Sequence, residues 1–223
     1  MPIPRHFHTS SAAFPALILI AGFVLIACDD RDLPDGTEPP ERVTAEGLSP
    51  EQEVFWENLE ELCGQAFRGE AREAPEDSNW WEAELVMHVR VCGDDEIRIP
   101  LHVDDDRSRT WVVTRTDAGL RLKHDHRLED GTPDPTNTDY GGDTTEPGSE
   151  TRQEFPADAY SIDAVPGRAT QHWFLEVHPE EIFAYGLVRE ENGLRYRVEF
   201  DLNEPVETPP APWGADAGDG GSE

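Results

Sequence analysis

Between Glu84 and Gly131 the chain reads ELVMHVRVCGDDEIRIPLHVDDDRSRTWVVTRTDAGLRLKHDHRLEDG. Most of this stretch alternates apolar and polar residues with a period of two, the mark of strands that bury one face. Leu85, Met87, Val89 and Val91 form one apolar row, and Ile97, Ile99, Leu101 and Val103 the next. A β-rich segment from Thr110 to Thr114 follows. Leu120, Leu122, His124 and His126 then share a face, with Arg121, Lys123, Asp125 and Arg127 opposite. Gly93-Asp94-Asp95, Asp104-Asp105-Asp106 and Asp117-Ala118-Gly119 supply the turns. Pro100 cannot donate to a ladder, so its strand is expected at an edge or with a bulge. Short turns between such runs commit this stretch to antiparallel pairing.

Further strands are predicted at Thr151–Phe155, His172–His178, Ile182–Arg189 and Leu194–Leu202, with a short helix over Ala157–Val165. Ser49-Pro50-Glu51-Gln52 combines an N-cap, a proline at the first helical position and a capping-box glutamine. Phe55, Leu59, Leu62, Ala66 and Phe67 give the helix that follows an apolar face, and Gly69 is expected to stop it. The sum is a mainly β domain of about eight strands with an N-terminal amphipathic helix. It closes as an antiparallel barrel, lipocalin-like in outline, or packs as a two-sheet sandwich.

Residues 49–203 hold this domain, interrupted by a long acidic loop at 131–150. Residues 204–223, rich in proline, glycine and acid, read as a disordered tail. Residues 29–48 have charge and proline without apolar periodicity and read as a flexible tether with a reach of roughly 25 Å. Residues 1–27 carry one basic residue, Arg5, and an uncharged run from Ala12 to Ala27, shorter than a membrane span. That is the pattern of an export signal.

The run ends in Leu25-Ile26-Ala27-Cys28, which resembles the lipobox of bacterial lipoproteins. The resemblance implies cleavage before Cys28, diacylation of its thiol, and attachment through the lipid to the periplasmic side of the inner membrane or to the outer membrane. Two cysteines then remain in an oxidising compartment, and Cys63 and Cys92 are expected to form a disulfide. From Leu62-Cys63-Gly64 through the RSRTWVV run to Tyr140-Gly141-Gly142-Asp143 the chain is similar to an uncharacterised group of exported Gram-negative proteins. That resemblance implies a coherent domain and no particular activity.

Eighteen basic residues stand against 48 acidic ones, for a formal charge of -30. Such a surface repels phosphate backbones and argues against nucleic-acid binding. The sequence has no nucleophile elbow, phosphate loop, C-x-x-C or H-E-x-x-H. Two clusters nevertheless carry chemistry. His124 and His126, two apart on one strand face, offer a pair of metal ligands, with Asp125, Glu129, Tyr140 and Asp143 nearby in sequence. Gly119, His124, His126 and Glu129 resemble in part the first cupin motif, though with shorter spacings. That resemblance implies a transition metal and a metal-dependent enzyme. A third ligand would come from His88, His102, His172, His178 or the Asp143 region. Arg90, Arg98, Arg121, Lys123 and Arg127 form a cationic face whose counter-charges are the chain's own carboxylates or an anionic ligand.

The reading these features favour is non-catalytic binding of a small molecule or envelope partner, with no cofactor required. The metal-dependent enzyme and a structural subunit of an envelope complex are the alternatives.

Overall fold

Two glycines allow the sheet to come round on itself. The computed structural model describes residues 47–215. The export signal, the lipobox, most of the tether and residues 216–223 of the tail lie outside the described residues. The elements are α1 (Pro50–Glu60), β1 (Ala66–Glu73), β2 (Leu85–His88), β3 (Val91–Cys92), β4 (Glu96–Val103), β5 (Asp106–Thr116) and β6 (Gly119–His126). After them come β7 (Tyr140–Asp143), β8 (Arg152–Pro156), α2 (Ala159–Ala164), β9 (Gln171–His178), β10 (Ile182–Arg189) and β11 (Leu194–Val206). They form one 11-stranded antiparallel sheet in the order β7-β6-β5-β4-β2-β1-β11-β10-β9-β8, with β3 added to β4. The sheet curls until its edges β7 and β8 meet, so the barrel prediction holds.

At that seam the Asp158 N–H donates to the Gly141 carbonyl at 3.0 Å. The Ser161 hydroxyl accepts from the Gly141 N–H at 2.7 Å and donates to its carbonyl at 2.9 Å. Asp158 caps α2 through the Ser161 N–H and pairs with Lys123, which ties the seam to β6. A Cβ on Gly142 would collide with the carbonyl oxygen of Pro156, and one on Gly141 with that of Leu122. Only glycine lets the backbones approach this closely.

The interior is packed solid through most of its height. Met87, Ile97, Ile99, Trp111, Val113, Leu122, Trp173, Phe183 and Phe200 are buried inside it. Trp111 stacks on Tyr185 with ring centroids 4.3 Å apart. Helix α1 plugs the end at the β5–β6 hairpin with Phe55, Trp56 and Leu59, all fully buried. Its buried Gln52 donates to Thr144 Oγ1 at 2.9 Å, and the capping box at Ser49 forms as predicted.

Four details differ from the sequence reading. Helix α1 ends at Glu60, and Ala66 and Phe67 belong to β1. Gly64 turns the chain with φ +79°, and Gly69 lies mid-strand under the Phe200 ring. The strand predicted across Leu85–Cys92 breaks after His88, because Val89 exchanges backbone bonds with Gly64 and Gln65 instead. Pro100 sits opposite that break: β2 pairing ends at Met87↔Leu101 and β3 pairing starts at Val91↔Arg98. The missing N–H is tolerated there in a central strand, and the β4–β5 register shifts between Leu101 and Val103, in keeping with the expected bulge. The loop at 131–150 contains β7 as well as two turns in which Asp130 and Asp134 accept from Thr132 and Thr136. Finally, β11 continues past Asn203 to Val206. The segment behind it returns to the outer wall, where the Trp213 N–H donates to the Arg107 carbonyl at 3.1 Å.

The Cys63–Cys92 disulfide joins the chain just after α1 to β3, across 29 residues. Closing a loop of that size removes about 3–4 kcal/mol of unfolded-state entropy. The Cys63→Ser/Cys92→Ser variant is accordingly expected to lose stability on that order in non-reducing urea denaturation, with the native circular dichroism spectrum retained. An unchanged midpoint would mean the bridge contributes nothing.

Candidate functional site

Strand parity decides what faces the barrel interior. On β6, Leu120, Leu122, His124 and His126 are all buried, while Arg121 is exposed and Lys123 and Asp125 only partly covered. The sequence placed these faces correctly. Toward the end opposite the α1 plug, the inward positions turn polar: Arg109 on β5, His126 on β6, Gln171 on β9 and Arg189 on β10. Arg109 is in register with His126, and Gln171 with Arg189.

One layer down, the His124 ring is stacked on Tyr140 with centroids 4.4 Å apart and lies beside Trp173. Its Nδ1–H donates to the Tyr140 carbonyl at 3.1 Å, so Nε2 accepts from the Tyr185 hydroxyl at 2.9 Å. That assigns the tautomer from its partners. At His126 the Asn137 amide donates to Nδ1 at 3.3 Å, and Nε2–H donates to the Tyr140 hydroxyl oxygen at 3.1 Å. The Asn137 oxygen in turn accepts from Arg168 at 3.5 Å, and the Arg168 guanidinium lies over the Tyr140 ring, 4.4 Å from its centroid. The indole N–H of Trp173 is buried beside them, and among the described residues no acceptor meets it with good hydrogen-bond geometry.

Burial is the main cause of every titration shift here. It lowers the His124 pKa to about 3 and that of His126 to about 4. The same cause pushes the Tyr140 phenol up to about 12 and Tyr185 well above the usual tyrosine range. At neutral pH these are uncharged groups joined by neutral hydrogen bonds.

The other sequence candidates are scattered. His88, His102, His172 and His178 lie on the outer face of their strands, away from His124 and His126, so the barrel wall separates every histidine offered as a third ligand. Asp125 and Asp143 also face outward, and Glu129 is exposed in the loop after β6. Among the described residues no three His, Cys, Asp or Glu side chains are grouped to hold a metal ion. Tyr140 is the one candidate from the long loop that joins the histidines.

Four members of the cationic face, Arg98, Arg121, Lys123 and Arg127, are matched by the chain's own acids. Arg98 meets Asp125 at 2.7 Å and Glu96 at 3.0 Å, and Arg127 meets Asp125 at 3.1 Å. Arg121 grips Asp143 with two bonds at 2.6 and 2.9 Å, and Lys123 pairs with Asp158. Arg90, Arg98 and Arg127 line an outer cleft of about 440 Å³ roofed by Pro212 and Trp213.

Arg109, Asn137, Arg168, Gln171, Tyr185 and Arg189 belong to the end opposite α1 and were not singled out from sequence. Tyr185 and Arg189 were legible only as members of a strand, and Pro166-Gly167-Arg168 carries no motif. Comparison with family models, curated proteins and solved structures finds no match, so fold and site geometry carry the functional reading.

Proposed function

We propose that the chain is an exported lipoprotein, diacylated on Cys28, whose barrel is a non-catalytic recognition module facing the cell envelope. The Leu25–Cys28 lipobox supports the anchor. The observation that carries the binding reading is the change along the barrel axis. Apolar packing fills the middle, α1 seals one end, and the other end presents Arg109, His126, Gln171 and Arg189 on inward faces. A filled barrel offers its rim for contact.

The test begins with the full sequence expressed in a Gram-negative host. Mass spectrometry of the membrane-extracted protein should find a diacylated N-terminal Cys28, and Cys28→Ser should abolish both the lipid and membrane retention. An unmodified thiol would refute the anchor. Ligands or partners captured by crosslinking from Tyr160, which stands exposed on α2 beside the rim, should be lost in Asn137→Ala protein of native thermal midpoint. Unchanged capture would move the site elsewhere. Stoichiometric metal that disappears in His124→Ala/His126→Ala would replace this reading with the metal-dependent one.

A further inference from the structure

Elsewhere on this acidic surface most of the described arginines meet a carboxylate. Arg72, Arg98, Arg121, Arg152 and Arg197 all meet a carboxylate within 3.0 Å. At the barrel end opposite α1, Arg109 follows the same rule with Asp106.

Arg168 and Arg189 do not. Arg189 donates from Nε at 3.0 Å and from Nη2 at 2.6 Å to a single neutral acceptor, the Gln171 oxygen. Gln171 is itself buried, so it fixes the guanidinium rather than neutralising it. Arg168 has the Tyr140 ring beneath it and the Asn137 oxygen at its edge, again with no carboxylate. The 3-10 turn Pro166–Arg168 carries it to within three residues of Gln171. Both side chains are half-buried. Burial lowers the Arg168 pKa, with Arg189 among the like charges that add to the effect.

Two partly desolvated guanidinium groups, held in place by neutral amides in a chain of charge -30, are costly unless a counter-charge arrives. Carboxylates are abundant, and among the described residues none reaches them. Their planar donor forks suit an acceptor with paired oxygens. Exposed Tyr160 and Val165 stand next to Arg168 and give the rim an apolar shoulder.

We infer that Arg168 and Arg189 form an anion-recognition site at the barrel end opposite α1, which takes a phosphate or carboxylate headgroup through their guanidinium forks. The inference rests on the recognition-module reading and assigns its ligand class. A free metabolite or a lipid headgroup would present the same oxygens.

The experiment titrates inorganic phosphate into the detergent-solubilised full-length protein at fixed ionic strength, with heat and thermal midpoint as readouts. Vesicles of phosphatidylcholine with and without phosphatidic acid form a second arm. Arg168→Gln and Arg189→Gln are compared with Arg195→Gln, an exposed arginine on the outer wall that also lacks a carboxylate partner. Saturable binding of phosphate, or of phosphatidic acid alone, is expected. Each of the first two variants should weaken it by roughly tenfold or more, and Arg195→Gln by less than about twofold. Binding of phosphate identifies a soluble source, and binding confined to vesicles a headgroup.

The inference is overturned if neither probe binds saturably, or if Arg168→Gln and Arg189→Gln bind like the native protein while keeping its thermal midpoint. That failure leaves the recognition reading standing if Asn137→Ala still loses the crosslinked partner. Loss of neither partner nor anion in any variant removes both.

Discussion

Alanine at Gly142 is expected to open the barrel. Its methyl group would occupy the position of the Pro156 carbonyl oxygen, and neither neighbour can give way cheaply. Gly142 is paired to Leu122 of β6, and Pro156 is held in β8 against His172 of β9. Relief therefore requires the two edge strands to separate, which breaks the Asp158–Gly141 bond and strips Ser161 of both partners. Overpacking of this kind typically costs about 1–3 kcal/mol, and a clash with backbone on both sides belongs at or above the top of that range. Gly167→Ala is the control, because a Cβ there meets nothing within 4 Å. Urea denaturation should give a much lower midpoint for Gly142→Ala and a near-native one for Gly167→Ala. Hydrogen exchange should show β7 amides losing protection first. Equal stabilities would mean that the β7–β8 seam yields without cost.

The second large effect is acid sensitivity. His124 and His126 are buried and neutral, and His102 on the outer wall is likewise lowered to about 4 by burial, then by Arg107 and His88. In the unfolded chain each returns to a pKa of about 6.5. Between these values the unfolded state binds more protons, so stability falls as pH drops below about 6.5 and goes on falling toward the folded pKa. At about pH 5 the loss is roughly 2 kcal/mol per histidine, or several kcal/mol for the three together.

At His124 the surrounding groups give a proton no counter-charge. Tyr140, Tyr185, Trp111 and Trp173 enclose the ring, and the charges that act on it, Arg168 and Lys123, are positive. His126 feels Arg109 against Asp134, Asp106 and Asp125, so its penalty is smaller. Relief of repulsion among 48 acidic residues acts in the opposite direction. A variant comparison separates the two effects. His124→Gln should be less stable at pH 7.5 yet lose less between pH 7.5 and 5 than the native protein. Parallel pH profiles would show that His124 does not titrate across this window.

The strands were readable because a half-buried sheet imposes a period of two on any sequence that forms it. Leu120 to His126 show this most clearly, with both histidines on the inner face as predicted. Helix α1 was readable from its capping box, and the disulfide from the two cysteines that remain once Cys28 is set aside as the expected lipid site. Strand β7 was not readable. Tyr140-Gly141-Gly142-Asp143 has little intrinsic β preference, and it is a strand only because β6 supplies partners and the seam demands glycine. The same limit hid the break at Val89, where residues 24 and 25 positions earlier take the backbone bonds.

The sequence alone determined an antiparallel β domain with a capped helix, one disulfide, a particular set of inward residues and an acidic surface. All of these follow from local periodicity, local turn chemistry or composition. Tertiary structure decided the closure of the sheet, the partners of His124 and His126, and which cations lack a carboxylate. Arg98 and Arg168 look alike in sequence. One lies beside Asp125 and the other over Tyr140, a difference set by contacts 27 and 28 residues apart, which no local pattern encodes.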